Sequence, residues 1–542
     1  MQITAIHIEN FKGIREKVTI PLKSINLLFG GNSAGKSTIL KALLYFRESL
    51  ETLGSNVDLV QGERISLGGF ETCCNHVELA KGYKAKFSIG LEFSLLDEGL
   101  TDEDDMIAFA LKGLPQVGGN TVGFTFVFGS HSLELVIKYN KKLLVRLDCT
   151  SCTTVLEASS TLPFKMPDSE LGEEGSVLKF FSNQEEGNWF DDLGEPENYL
   201  YTDEQGKFSC GMNLTKRSGL EFIPLNKTRG SDFIGVKWGD EGVYAPVETI
   251  GDVLASAILG PYHLLRNHLS RIRYIGPFRE IPPRNFGASL SYREARKLTW
   301  SSWADGLAAW ATFLTWSDSD PEDVEELEEL NAAVEQLGMG YQVSIDRELS
   351  LPRKSELTSL LEREAGGISA FQDVNPSKIE KMLKDLKVRD KIELIDTETG
   401  ASVSPQDVGV GVSQVIPVAI GAVDGGASIF AVEQPELHIH PAVQCRLADV
   451  IIRASKKFPE RIFLFETHSE HMILRLLRRI RETSAGSVNL DGQELTTDQL
   501  GVLHVAKDAV GVEITELQIT DDGDFEEDWP DGFFDDRSEE LF

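Results

Sequence analysis

The chain has 542 residues, enough for about two to four domain-sized units, and its 41% hydrophobic content is sufficient for real cores and excludes wholesale disorder. With 53 Lys and Arg against 86 Asp and Glu, the net charge is −33, so nucleic acid is repelled in bulk and any contact with it must use a local basic patch. Six cysteines, with Cys149-x-x-Cys152 lacking a second pair at ligand spacing and Cys73 next to Cys74, read as reduced thiols of a cytoplasmic protein rather than as a zinc site or a disulfide framework.

The first residues lack the basic and apolar regions of a signal peptide, and the apolar run 415–423 is far too short to span a bilayer, so no membrane contact is expected. Residues 2–9 largely alternate, with Ile3, Ala5, Ile6 and Ile8 against polar neighbours, which predicts a strand; a second follows at 18–22. Residues 25–29 form a short apolar run of strand type. Gly30 to Ser37 then fits G-x-x-x-x-G-K-[ST], and 37–44 reads as a helix. A strand, glycine loop and helix in this order leave backbone N–H groups free to point at phosphate oxygens, with the positive end of the helix dipole behind them. Asn32, Ser33, Ala34, Gly35 and Thr38 shape that cradle, Lys36 reaches the β and γ phosphates, and the Ser37 hydroxyl is a Mg²⁺ ligand.

From 84 to 160 the chain is rich in β-branched and aromatic residues broken by turn signals, which predicts an antiparallel meander; 160–245 is polar and turn-rich. Residues 249–268 read as a helix kinked at Gly260-Pro261, and 305–338 as mostly helical, with Asp320-Pro321 as a start and Gly338 as a stop. Two short helices are expected in 353–386. Two arginine groups are the candidate basic patches: Arg271, Arg273, Arg279 and Arg284, and Arg475, Arg478, Arg479 and Arg481, the second read as a solvated helix face. The acidic tail carries Phe525, Trp529, Phe533 and Phe534, which suggests that it docks on the body.

Later motifs supply a second half for the phosphate loop. Asp407-Val408-Gly409-Val410-Gly411-Val412-Ser413-Gln414 is a Gly-rich turn opening a helix, again an anion-binding device. An apolar strand at 427–432 ends in Glu433-Gln434-Pro435-Glu436, and a carboxylate at a strand end opposite a phosphate loop commonly holds Mg²⁺. A further strand at 462–465 ends in Glu466-Thr467-His468-Ser469-Glu470. His438 and His440 share a face of an extended segment, and a structural role outweighs a metal one for them.

This order resembles the ABC-type ATPases of the SMC and OLD (overcoming-lysogenization-defect) group, and is more narrowly similar to the stand-alone Septu-type ATPases of bacterial defence islands, also found with some retrons. The shared elements are I-E-N-F-K-G at 8–13, G-x-N-x-x-G-K-S at 30–37, G-P-x-R-E at 276–280, D-V-G-x-G-x-S-Q at 407–414, E-Q-P-E-x-H-x-H-P at 433–441, T-H-S-E at 467–470 and W-P-x-G-F-F-D at 529–535. The resemblance implies an α/β, ABC-type ATPase head, a split P-loop NTPase. Its expected parts are 1–100 with the phosphate loop, a β-rich insertion at 101–245, a helical insertion at 246–390, and 391–542 with the remaining motifs.

It also implies ATP and Mg²⁺ as cofactors and two heads sandwiching ATP. Lys36, Ser37 and Thr38 then bind phosphates and Mg²⁺, Glu433 is the Mg²⁺-side acid, and His468 is the switch histidine facing the γ-phosphate. Gly411, Ser413 and Gln414 form the signature that touches the other subunit's γ-phosphate, and Lys12 lies near the base or ribose. Two departures stand out: the signature is not L-S-G-G-Q, and Gln434 occupies the place of the usual general base, with Glu436 as its candidate replacement, so slow hydrolysis is expected. The implied partner is an HNH-type nuclease effector, with a retron reverse transcriptase and its RNA–DNA as a further candidate. Because only 469–542 follows His468, an appended OLD-type nuclease domain is not expected. A DNA repair or recombination ATPase and a non-hydrolysing ATP-sensing scaffold are the alternative functions.

Overall fold

The computed structural model describes residues 1–51, 60–61, 66–94, 121–130, 132–139, 141–148, 153–158, 200–202, 208–213, 261–262, 264–284, 286, 300–316, 321–351, 355–367, 369, 374–384, 387–486, 492–507, 511–527 and 529. Its centre is a six-stranded sheet in the spatial order Ile272–Ile275, Ile429–Glu433, Ile462–Glu466, Ile25–Phe29, Leu500–Lys507, Val512–Leu517. The first five strands are parallel and the last is antiparallel. Three adjacent strands, Ile429–Glu433, Ile462–Glu466 and the loop strand Ile25–Phe29, are buried along their whole length, as strands of a sheet covered on both faces must be.

Alternate side chains of these strands feed two separate cores. Leu28, Tyr274, Ala431, Leu464 and Leu503 face one side; Leu27, Phe29, Ile275, Val432, Phe465 and Val502 face the other. The first core is closed by the helix Lys36–Glu51 and by a nine-stranded antiparallel sheet whose inner face contributes Phe87, Phe124, Phe126 and Phe128. The second is closed by the helices Leu307–Thr315, Pro321–Leu337, Val410–Val423, Pro441–Lys457 and Glu470–Ser484. Two cores, one on each face of the sheet, thus hold the two ends of the chain together, and burial of this kind is the main stabilising term.

The meander expected from 84 to 160 forms, as Lys86–Ser94, Thr121–Gly129, Leu133–Tyr139, Lys142–Asp148 and Thr153–Ala158 pair in succession. It does not form a sheet of its own, because Lys86–Ser94 pairs with Gln2–Glu9, so the β-rich segment continues a sheet begun by the N-terminal strand. The 246–390 segment also departs from a helical insertion. Ile272–Ile275 is the edge strand of the central sheet, and Tyr341–Ser350 pairs with Lys387–Asp396 over ten residues each. Polar alternation in 341–350 and the four-residue length of 272–275 hid both strands from a helix-period reading.

Phe525 and Trp529 pack against the second core, with Trp529 and Phe29 ring centroids 5.0 Å apart. Phe533, Phe534, Cys149, Cys152 and the Gly260 half of the proposed kink lie outside the described residues.

Candidate nucleotide site

The loop leaves the buried strand Ile25–Phe29 through Gly30, whose φ of +142° and near contact with Val505 exclude a side chain: a Cβ there would lie 2.0 Å from the Val505 carbonyl oxygen. Asn32 and Ser33 are exposed at the loop's outer rim, Ala34 is buried beneath it, and Thr38 N–H donates to Gly35 O at 2.9 Å as the helix begins. Lys36 is 3% exposed, and its ammonium donates to Gly30 O and Gly31 O, both at 2.9 Å. The lysine therefore curls back over its own loop. Burial lowers its pKa, while Glu466 and Glu436 pull it up.

Ser37 Oγ donates to Glu466 Oε2 at 2.6 Å. Glu466 ends its strand directly beside the loop strand and stands in register with Glu433 on its other side. Burial, then the Glu433 charge, raises the Glu466 carboxyl, with the Ser37 hydrogen bond opposing. Glu433 Oε1 accepts from the Tyr274 hydroxyl at 2.7 Å, and burial and Glu433 push that hydroxyl well above the ordinary tyrosine value. Two carboxylates and a hydroxyl are hard oxygen donors. Among the described residues no three His, Cys, Asp or Glu are grouped to hold a metal unaided. That fits Mg²⁺, which binds through one or two carboxylates plus substrate phosphates and water.

Gln434 follows in the left-handed region, φ 47°, and its N–H donates to Glu466 O at 2.7 Å, which ties the two strand ends together. Glu436 accepts from His468 N–H and from Thr467 Oγ1, both at 2.8 Å, so its carboxylate holds the turn that carries His468. Burial raises the Glu436 carboxyl above its usual range. His468 is half-buried beside Phe29, and burial, then Lys36, lowers its pKa and keeps the ring neutral. Ser469 then caps the helix Glu470–Ser484 by accepting from Met472 N–H.

The signature turn differs from its expected geometry. Ser413 is fully buried and donates to Pro405 O at 2.6 Å, and Gln414 Nε2 donates to Arg279 O at 2.7 Å. Both side chains face inward, because they sit in the first full turn of a helix whose start is Gly409 and Val410; Val410 is 49% exposed. The Ser413 and Gln414 side chains, expected to meet a second subunit's phosphate, are thus engaged inside this chain, and the exposed residues of the turn are Gly409 and Val410. Gly411 lies against the His438 carbonyl, which a Cβ would approach to 2.6 Å. His440 caps the helix Pro441–Lys457 by accepting from Ala442 N–H at 3.2 Å, the structural role read for it.

Lys12 has φ 51° and donates its N–H to Cys73 O. Its neighbour Gly13 and the loop's Gly35 abut the same Val512 methyl, at 3.0 and 2.9 Å from where a Cβ would stand, so the Lys12 turn adjoins the loop.

Seven of the eight arginines of the two groups are engaged within the chain, and Arg271 is exposed. Arg273 pairs with Asp424, Arg284 with Asp407, and Arg279 is buried with its guanidinium on the carbonyls of Glu433 and Gln434. Arg475 and Arg479 share Asp449, Arg478 meets Glu482, and Arg481 meets Asp524. Glu466, Tyr274 and Arg279 are the residues that the sequence reading missed. The motifs of Glu466 and Arg279, E-T-H-S and G-P-x-R-E, were visible and Tyr274 just precedes the second, but nothing in them indicates which side chain turns toward the loop.

Residues 1–142 match the AAA ATPase domain family. A 49-residue stretch is 49% identical to an uncharacterized protein of Methanocaldococcus jannaschii and covers 9% of this chain and 22% of that protein, so the chain spans less than a quarter of that relative. Among solved structures, the chain is similar to the Smc head bound to the C-winged helix domain of ScpA, with a TM-score of 0.38, 12% identity, and 96% of this chain and 98% of that one covered. It is also similar to the SMC head domain from Thermotoga maritima, with a TM-score of 0.35, 8% identity, and 96% and 100% covered. Likenesses at these scores carry no functional weight. No helix among the described residues is long and apolar enough to cross a membrane. The phosphate loop on a mostly parallel sheet packed against helices is an α/β arrangement, and the match of residues 1–142 to the AAA ATPase domain family supports an ATPase.

Proposed function

We propose that the chain is an ATP- and Mg²⁺-dependent ATPase that pairs with a second copy around the nucleotide and thereby controls a separate nuclease effector of bacterial anti-phage defence. The convergence of Lys36, Ser37, Glu466, Glu433 and His468 at the ends of three adjacent parallel strands carries the ATPase part. Bound Mg²⁺ would neutralise charge on the β and γ phosphates, with Ser37 and the strand-end carboxylates as its protein ligands. Lys36 would exchange the carbonyls of Gly30 and Gly31 for phosphate oxygens. Neutral His468 offers a hydrogen bond toward the transferred phosphate.

Gln434 can orient water but cannot take its proton, and both Glu436 oxygens already accept hydrogen bonds. Turnover well below the ~1–1000 s⁻¹ of ordinary enzymes follows. The exposed turn at Gly409 and Val410 is the surface that a second copy's nucleotide would meet. The defence role and an HNH-type nuclease partner, with or without a retron reverse transcriptase, rest on the motif order. The net charge of −33 and the engagement of seven of the eight arginines within the chain favour a borrowed DNA-handling surface over a DNA repair ATPase.

The test has two parts. Mg²⁺·ATP binding, turnover and ATP-induced assembly by light scattering are compared between wild type and Lys36→Ala; unchanged binding in the variant overturns the ATPase reading. The chain is then co-purified with each neighbouring gene product and assayed for DNA cleavage with and without ATP. Metal-dependent cleavage by this chain alone, surviving Lys36→Ala, overturns the effector reading.

A further inference from the structure

We infer that Trp529 is a positioning residue of the nucleotide site: through Phe29 it sets the ring of His468 toward the transferred phosphate. The inference rests on the ATPase reading and adds to it a role for the chain beyond the strand Val512–Leu517.

The first argument is how His468 is held. Its N–H donates to Glu436 at 2.8 Å, but among the described residues no hydrogen bond reaches its ring. Packing therefore orients the imidazole. The neighbouring ring is that of Phe29, the last residue of the loop strand, with centroids 6.5 Å apart. Phe29 is itself buried, and Trp529 meets it edge-on, at 5.0 Å and 79°. Phe525 in turn meets Trp529 at 4.9 Å. Edge-on pairs at such distances set ring angle as well as cover apolar area, so a row of four rings runs from the acidic tail to His468.

The second argument is how this segment is seated. Its turn is closed by Gly523 N–H to Thr520 O at 2.9 Å and by Thr520 N–H to Asp524 O at 2.8 Å. Gly523 has a φ of +70°, and a Cβ on it would stand 2.2 Å from Leu477 O, so the turn lies directly on the helix Glu470–Ser484. Arg481 of that helix donates to Asp522 O at 2.6 Å and to Asp524 Oδ1 at 3.0 Å. The ion pair is exposed on both sides and holds little by itself. The lengths agree with a strap laid along the helix. From Ser469 to Leu477 the helix rises about 12 Å, and the six residue steps from Gly523 to Trp529 reach at most about 20 Å. One segment thus touches both the helix that His468 leads into and the ring that His468 rests on.

The test is single-turnover hydrolysis of Mg²⁺·ATP by the full chain, with the affinity for a non-hydrolysable ATP analogue measured alongside by calorimetry. Trp529→Ala is expected to slow hydrolysis at least about fivefold while analogue affinity stays within about twofold of wild type. Trp529→Phe keeps an aromatic edge for Phe29 and is expected to return the rate to within about twofold of wild type. Trp529→Leu keeps apolar bulk without that edge; it is expected to follow Trp529→Ala and stands in for it if that variant does not fold. In a His468→Ala background, Trp529→Ala is expected to slow hydrolysis by less than about a further twofold, because a residue that acts through His468 has nothing left to position. An unchanged rate in Trp529→Ala, a Trp529→Phe as slow as Trp529→Ala, or equal losses with and without His468 overturn the assignment and leave Trp529 as packing. A wild-type chain that hydrolyses no ATP overturns the ATPase reading and this assignment with it, a pattern distinct from equal rates in wild type and variants.

Discussion

Replacing Arg279 by Ala should unfasten the nucleotide side of the head. Its guanidinium is 6% exposed and donates to Glu433 O at 2.7 Å and Gln434 O at 2.9 Å, with a longer contact to Gln414 O at 3.4 Å. Burial lowers its pKa to about 10, with Glu436 opposing, so it remains charged at neutral pH. The residue's own carbonyl accepts from Gln414 Nε2, so one arginine braces the Glu433–Gln434 turn against the helix Val410–Val423. Hydrogen bonds to a charged group contribute about 1.5–3 kcal/mol each. The two short ones therefore sum to about 3–6 kcal/mol, and the long one adds little. That is a large part of the ~5–15 kcal/mol available to a folded protein. Arg279→Lys keeps the charge but loses the planar guanidinium whose Nη2 donates to both carbonyls, so about half of the loss should remain. Urea unfolding followed by circular dichroism measures both variants, and amide exchange at 433–434 reports the local loosening. A loss below about 1 kcal/mol in Arg279→Ala, within the range of ordinary surface changes, would refute the brace.

Burial, then Arg271, pushes His268 from 6.5 down to about 3. The unfolded chain then binds more protons than the native one between those values, so stability is lost as pH falls through that window, by up to about 1.4 kcal/mol per unit. His268→Phe should flatten the stability–pH curve there, and an unchanged slope would exclude His268 as its source. Asp449, 4% exposed, accepts from Arg475 and twice from Arg479. Asp449→Ala leaves those cations without their carboxylate and should cost about 3 kcal/mol in urea unfolding. Gly30→Ala drives a Cβ to 2.0 Å from Val505 O at a φ of +142°, so nucleotide binding measured by calorimetry should fall sharply.

Local sequence determined the phosphate loop and the strands that flank it. Spacing alone places Gly30, Gly35 and Lys36, and apolar runs bounded by turn residues mark 25–29, 427–432 and 462–465. The switch turn was also legible, because E-T-H-S closes an apolar run. Strand order, which no local pattern encodes, decided the rest. Ser37 and Glu466 are 429 positions apart in sequence, and only the insertion of their strand pair into one parallel ladder makes them neighbours. The same holds for Arg279, which reads as surface charge in sequence and becomes a buried clamp once Ile272–Ile275 joins the sheet edge. Ser413 looked like a phosphate contact because it follows two glycines; the helix phase set by its start at Val410 turns it inward. Residue types and their spacing thus specify which chemistry the chain can carry, and the packing of two distant chain segments against one sheet specifies which side chains reach it.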